Sequence, residues 1–388
     1  MPLKSIGAKP TPDRLMVLIP DMLTSIINKG EVTWCYYNPG DLFKEVHLVL
    51  CNDDKPDIEK TQKMVGNAKL IIHNLPRPNF FKTIGWQLPL IRSWIKSGVS
   101  LAREIKPNLI RVHNNFLEGY LASVIKKQFS VPYVISLHGV WDRDCLQTPL
   151  HWIRRQFLIK FERASLQNSE AVIAVYAPII RYAKKYGAKR VELIYNIVAG
   201  NKIVAKKNYE ASKPFKLITI NRQLSEKNPE NIIRAIVDLD CEYWIVGDGE
   251  YHDRLRQLAE ELSVDSKIRF HKAMPNDDLC ALLPTFDLMV AHCDYWGISK
   301  STIEGAIAGL PLLLNRHPIE PIPDLDGGWI TLCENTPDGY KKSIKRFMNS
   351  ESHRSQWGRL ALNHAQLNFE PEVMEEKTVN LYQELITL

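Results

Sequence analysis

Short β-branched or apolar runs alternate along this chain with longer segments of helical period. The first series of runs is Leu15–Ile19, Val46–Leu50, Leu70–His73, Leu109–His113, Tyr133–Leu137, Val172–Val175 and Val191–Ile194. Between them, Leu117–Lys127 and Trp152–Leu166 repeat apolar positions at three- and four-residue spacing. A Lys-rich stretch from Gly200 to Pro214 interrupts the pattern, and a second series follows: Lys216–Ile220, Tyr243–Val246, Ile268–Phe270, Leu288–Val290, Pro311–Leu314 and Trp329–Leu332. Helical segments Asn228–Val237 and His252–Leu262 lie among these. Strand and helix in alternation predict mostly parallel sheets with helices on both faces, and two series predict two doubly wound α/β domains, joined near residue 205. Ligands of such folds sit beyond the carboxyl ends of the strands, so the strand-to-helix loops are the place to look for chemistry.

Composition narrows the class without changing that picture. The 388 residues are 45% hydrophobic and 24% charged, a globular balance that excludes disorder and fibrous repeats. No apolar stretch reaches the length of roughly 20 residues that a membrane span needs, the longest being Ala171–Ile180. Residues Met1–Arg14 lack the apolar core of a secretory signal. The seven cysteines, Cys35, Cys51, Cys145, Cys241, Cys280, Cys293 and Cys333, are scattered and odd in number, as expected of reduced, buried thiols in a cytoplasmic protein. The net charge of +6 is unevenly spread: residues 1–200 hold 28 Lys and Arg against 16 Asp and Glu, and the remainder 22 against 28, giving +12 and −6. A basic first half suits an anionic partner. Arg154, Arg155, Lys160 and Arg163 surround the apolar positions of Trp152–Leu166, which fits a helix lying peripherally on a membrane surface as well as an ordinary packed helix with a solvated face. No nucleic-acid-binding motif accompanies the charge.

Three stretches of the second domain carry candidate chemistry. Ile218–Asn228 (ITINRQLSEKN) puts Arg222 and Lys227 in the loop after an apolar strand, two cations suited to a diphosphate or simply solvated. Tyr243–Glu250 (YWIVGDGE) runs into Gly247-Asp248-Gly249, a turn that also permits close approach of a ligand to the backbone. Asp294–Leu314 (DYWGISKSTIEGAIAGLPLLL) turns at Gly297 into a helix from about Ser299, whose first amides would face an anion. Ser301 and Glu304 in that helix also have the spacing of a capping box, which needs no ligand.

The ordered series NRQLSEKN, IVGDGEYHDRLRQLAEEL, IRFHKAMPNDDL and LMVAHCDYWGISKSTIEGAIAGLPLLL resembles the donor-binding domain of glycosyltransferase family 4, over about residues 215–335. The resemblance implies a GT-B fold: two Rossmann-like domains facing a central cleft, an acceptor domain over 1–205, a nucleotide-sugar domain over 206–370, and a C-terminal helix over 371–388 packing back on the first. It implies a retaining glycosyltransferase that moves a sugar from a nucleoside-diphosphate sugar to a hydroxyl acceptor on a glycan or lipid, with no cofactor and no metal. By the same carry-over Arg222 and Lys227 clasp the diphosphate, amides of Lys300 and Ser301 hold phosphate, and Glu304 holds the ribose. Gly297, Ile298 and Ser299 contact the transferred sugar, while Gly247 and the Phe270–Met274 segment, through Met274, flank the nucleoside. One departure stands out: the family has a glutamate eight positions before Glu304, and this chain has Trp296, with Asp294 two residues earlier as a substitute. An indole there favours a sugar with less hydroxyl, such as a deoxy sugar, a pentose or an acylated amino sugar.

In the first domain, Val131–Asp144 (VPYVISLHGVWDRD) ends an apolar strand at His138, a structural residue by its local pattern and, by resemblance, a group that orients the donor sugar. His113 ends the preceding strand and is a second candidate for acceptor or sugar contacts, followed by Asn114, Asn115 and Glu118, which supply hydrogen-bonding groups nearby or cap a helix. The family's glycine pair in the first strand-to-helix loop is absent, leaving Gly30 as the position for a diphosphate contact. Tyr36, Tyr37 and Asn38 provide aromatic and amide groups for an acceptor, or packing under a loop. Two further readings stay open from the sequence: an epimerase or phosphorylase on the same fold, and a noncatalytic nucleotide-sugar-binding protein.

Overall fold

The computed structural model describes residues 13–30, 32–78, 87–140, 149–198, 203–272 and 274–387, with backbone alone at 87, 149–157 and 226. Trp141–Asp144, Cys145, Gly200 and the side chains of Arg154 and Arg155 lie outside the described residues.

Two compact units emerge. The first comprises residues up to Val175, Ile179–Tyr195 and Met374–Leu388; the second comprises Tyr176–Pro178 and Asn196–Val373. The chain therefore joins the second unit ahead of residue 205. Lys206 shows why: its amide donates to the Ala308 carbonyl at 2.8 Å and its ammonium to Pro284 and Phe286 carbonyls at 2.9 and 2.8 Å, all within that unit.

The first unit holds strands β1 (Arg14–Ile19), β2 (Glu45–Leu50), β3 (Lys69–Asn74), β4 (Leu109–Val112), β5 (Tyr133–Leu137), β6 (Ala171–Ala174) and β7 (Val191–Leu193). They form a parallel sheet in the order β3-β2-β1-β4-β5-β6-β7. Its helices are α1 (Leu23–Asn28), α2 (Ile58–Lys63), α3 (Gln87–Ile105), α4 (Leu117–Phe129), α5 (Pro149–Asn168) and α6 (Pro178–Lys185), the last of which opens in the second unit. The second unit holds β8 (Phe215–Ile220), β9 (Cys241–Val246), β10 (Ile268–His271), β11 (Leu288–Ala291), β12 (Leu312–Asn315) and β13 (Thr331–Cys333), parallel in the order β10-β9-β8-β11-β12-β13. Its helices are α7 (Glu230–Ala235), α8 (His252–Glu261), α9 (Asn276–Leu282), α10 (Lys300–Ile307), α11 (Pro337–Asn349) and α12 (Glu351–Asn368).

Central strands of a sheet covered on both faces are buried without alternation: β1 after Arg14 and β11 throughout are continuous apolar runs, and β4 and β5 are buried along their whole length, Arg111 and Ser136 included. In the second unit Leu217, Tyr243, Ile245, Val290 and Leu313 pack with Leu255 and Leu258 of α8 and with Ile344 and Phe347 of α11.

A final helix, α13 (Pro371–Thr387), belongs almost wholly to the first unit. Glu375 accepts from the Gly40 amide at 2.7 Å, Tyr382 packs edge-on against Phe43 at 6.4 Å, and Glu384 pairs bidentately with Arg190 at 2.6 and 3.0 Å. Gly40 needs its missing side chain twice, since its φ is +63° and a Cβ would lie 2.6 Å from Val379.

Candidate active site

In the second sheet the strand order reverses between β8 and β11, and a doubly wound sheet binds ligands at such a switch point, beyond the carboxyl ends. The two loops leaving there run from Asn221 to Pro229 and from His292 to Ser299. They hold Arg222 and Lys227 on one side and the start of α10 on the other.

The first loop is stapled down by Gln223, a buried residue that sequence reasoning passed over. Its amide donates to the Asp248 carbonyl at 3.0 Å, its side chain donates to the Gly247 carbonyl at 2.5 Å, and its Oε1 meets His252 Nδ1 at 3.0 Å. With Gln223 turned inward, Arg222 beside it is exposed. Gly247 (φ +134°) and Gly249 are glycines because this loop lies on them: a Cβ would stand 2.0 Å from the Asn221 carbonyl and 2.2 Å from that of Gln223, respectively. The Gly247 amide is spent on the His271 carbonyl at 2.8 Å, so this turn builds the loop. Lys227 is half-buried, with its ammonium 4.5 Å above the ring of Tyr295 on the second loop.

The second loop enters α10 through Ser299, whose side chain accepts from the Thr302 amide at 3.1 Å and makes it the N-cap. This corrects the capping-box alternative. Ser301 is the second helical residue and donates to the Ile220 carbonyl at the end of β8 at 2.8 Å, so Glu304 does not stand at the capping-box position. The Glu304 carboxylate instead lies inside the fold at 7% exposure. Lys300 and Ser301 occupy the first turn, where amides point out of the helix start rather than into its ladder and favour an anion. Gly297 lies flat on the ring of Tyr176, and a Cβ there would be 2.8 Å from it.

Trp296 turns inward, while Asp294 is half-buried. Trp296 is 6% exposed and packs on His317 with ring centroids 4.0 Å apart. Asp294 receives Asn315 Nδ2 on Oδ1 and pairs with His292 Nε2 through Oδ2, each at 2.8 Å. Burial alone would raise the Asp294 carboxyl, but the His292 hydrogen bond and charge, with the Asn315 bond, hold it below the usual carboxylate range. Both side chains are thus engaged within the fold, Trp296 on His317 and Asp294 on His292 and Asn315. Burial pushes the Cys293 thiol up to about 12, far from a thiolate nucleophile. Met274 is half-buried after β10, and Ala273 beside it lies outside the described residues.

In the first unit the switch point falls between β1 and β4. The loop after β1 is Pro20–Met22, so Gly30 is not in it. Gly30 follows the end of α1 at φ +73°, with its amide on the Ile27 carbonyl at 2.9 Å. The start of α1 is already served by a carboxylate, Asp54, which accepts from the Thr24 amide at 2.9 Å and from its hydroxyl at 2.5 Å. Tyr37 and Asn38 are buried, against an acceptor role. Asn38 donates to the Phe43 and Val65 carbonyls at 3.1 and 3.2 Å and accepts from the Phe43 amide at 2.9 Å, while Tyr37 packs edge-on against His113 at 5.4 Å. Asn114 accepts from the Phe116 amide at 3.0 Å and shapes the turn into α4. Asn115 is buried on Glu162 at 2.8 Å, and Glu118 is buried on Arg77 at 3.0 Å.

The structure brings His113 and His138 together. Their rings stack 5.8 Å apart at 13°, the His138 residue exposed and His113 beneath it. Burial, reinforced by the Arg111 and His138 charges, drives the His113 pKa well below the ordinary imidazole value, so His113 is a neutral platform near pH 7. Among the described residues no group of three or more His, Cys, Asp or Glu could hold a metal ion, and no helix is long and apolar enough to cross a membrane.

Comparison with known proteins is consistent along the chain. The Glycosyltransferase Family 4 profile matches residues 44–199, and Glycosyl transferases group 1 matches residues 201–364. An uncharacterized glycosyltransferase of Methanocaldococcus jannaschii is 23% identical over 290 residues, covering 74% of this chain and 78% of that protein. The lipopolysaccharide core biosynthesis glycosyltransferase LpsE of Rhizobium meliloti is 25% identical over 197 residues, 49% of this chain and 57% of LpsE. Among solved structures, Anabaena HepE in complex with UDP superposes with a TM-score of 0.71 at 13% identity, covering 96% of this chain and 100% of that one.

Proposed function

The chain belongs to glycosyltransferase family 4 and has the GT-B fold, and from that premise we propose that it transfers a sugar, with retention at the anomeric carbon, from a nucleoside-diphosphate sugar to a hydroxyl acceptor on a glycan or lipid. The observation that carries the reading is the convergence of Arg222, Lys227 and the start of α10 at the switch point of the second sheet. Two cations and a helix N-terminus neutralise the charge that grows on a departing diphosphate. This is electrostatic stabilisation by groups fixed before the reaction begins. The departing phosphate oxygen takes the acceptor proton on the face it leaves, so no protein nucleophile is required. Glu304, one turn into α10, holds the ribose.

HepE, which shares this fold, is known in complex with UDP, which supports a nucleoside-diphosphate ligand for this chain without naming its base. The +12 charge of the first 200 residues supports an anionic acceptor surface and a peripheral contact with membranes from the cytoplasmic side. The decisive experiment incubates the full chain with a panel of sugar nucleotides, with and without glycan and lipid-linked acceptors, and identifies products by mass spectrometry. A glycosylated acceptor plus free nucleoside diphosphate is expected. An altered sugar nucleotide formed without acceptor would instead establish the epimerase reading.

A further inference from the structure

His292, the first residue of the second loop, follows directly on β11 and is almost fully buried. Its Nδ1 faces the carbonyl of Asn228, on the loop that carries Arg222 and Lys227, 64 residues away in sequence. Its Nε2 lies 2.8 Å from Asp294 Oδ2, on the loop that leads into α10. The side-chain amide of Asn335 also approaches Nε2, at 3.2 Å, but the carboxylate is nearer and a charge-assisted bond of that length is the stronger. The ring thus has one nitrogen on the Asn228 carbonyl and the other on the Asp294 carboxylate.

The far side of Asp294 is equally fixed. Asn315 donates to Asp294 Oδ1 at 2.8 Å and to the Cys293 carbonyl at 3.2 Å, and accepts from the Cys293 amide at 2.7 Å. His317 Nε2 meets the Asp294 carbonyl at 3.1 Å. The second loop is thus rigidly held on β12, and His292 is the group that carries that rigidity across to the first loop.

We propose that His292 is a positioning residue: its ring ties the loop bearing Arg222 and Lys227 to the loop that enters α10, and so sets the spacing of the groups that grip the donor diphosphate. The proposal rests on the reading of those loops as the diphosphate site. A side chain with one donor would either free the first loop or leave Asp294 without this partner. Small displacements matter at such a site, because a grip on two phosphates depends on both halves being in register.

The two bonds can be removed separately. In His292→Asn the amide nitrogen falls near the place of Nδ1 and keeps the Asn228 bond. In His292→Gln it falls near Nε2 and keeps the Asp294 bond. The full chain and both variants, with His292→Ala and Arg222→Ala, are titrated with UDP, GDP and ADP by calorimetry, and thermal unfolding is followed in parallel. Both single-bond variants are expected to bind the preferred nucleotide about tenfold more weakly, the cost of one charged hydrogen bond, and to raise donor KM more than they lower kcat. Native affinity and native KM in both variants, with Arg222→Ala impaired, would overturn the positioning role while leaving the diphosphate reading intact. A fall in melting temperature alone in these variants also overturns it, because His292 would then serve stability only. Native binding by Arg222→Ala, or no binding of any of the three nucleotides by the native chain, overturns the diphosphate reading and this proposal with it.

Discussion

Gly297→Ala is the sharpest test of the turn that opens α10. The added Cβ would lie 2.8 Å from one carbon of the Tyr176 ring and 2.9 Å from two others, whereas ordinary contacts begin near 3.4 Å. Either the ring or the turn must therefore move by about 0.6 Å, the difference between those two distances. Tyr176 is buried, and the next amide, Ala177, is anchored on Asp324 at 3.0 and 3.1 Å, so the ring has little room to give. Overpacking of this kind costs about 1–3 kcal/mol, a loss of about 2–12 °C in melting temperature for a unit of this size. The displaced turn feeds directly into Ser299, Lys300 and Ser301, so nucleoside-diphosphate affinity should fall together with stability. The assay is a double-mutant cycle with Tyr176→Leu, which removes most of the ring. Each single variant should be impaired, and the double variant should be less impaired than their sum. Additive effects, or a Gly297→Ala protein with native melting and native nucleotide binding, would refute the claim that this glycine is there for the ring.

Arg222→Ala and Lys227→Ala should each weaken nucleoside-diphosphate binding by about 1.5–3 kcal/mol with the fold intact, measured by calorimetry beside circular dichroism. Ser299→Ala should lower stability by about 1 kcal/mol as a lost N-cap, while Glu304→Gln should weaken nucleotide binding with little change in melting, since Glu304 is no part of a capping box. For Asp294, whose carboxyl is held low by His292 and Asn315 against the effect of burial, the stabilisation is present above the unfolded value of 3.8 and is lost as pH falls through the lower folded value. Melting curves of Asp294→Asn and native protein should therefore converge as the pH drops below about 4. Trp296→Ala empties a buried site against His317 and should cost about 3–5 kcal/mol, seen as a lower denaturation midpoint whatever the donor.

The strands were legible because a sheet covered on both faces makes each strand an apolar run, a signal that needs no knowledge of distant residues. The entry to α10 was also legible at Ser299. Which of Ser299, Ser301 and Thr302 caps it was not, since each has a hydroxyl suited to the task and only the backbone angles decide. Gly30 misled because α1 is six residues long, so a glycine at its far end resembles one at its beginning. Tyr37 and Asn38 are side chains equally at home on a surface or beneath a loop, and only the burial against His113, Phe43 and Val65 tells them apart. The His292, Asp294 and Asn315 pairings join residues 21 and 64 positions apart or belong to the loops so joined. No local pattern announces a bond of that range.

The place of α13 bears on how the molecule is made. A ribosome delivers the strands of the first sheet early, but the partners of Gly40, Phe43 and Arg190 only with Glu375, Tyr382 and Glu384. Between those moments the whole second unit is synthesised. The first unit therefore waits, with Phe43 uncovered, until the second unit has been made, and a nascent chain released before Met374 carries an unfilled apolar socket that chaperones and proteases can recognise.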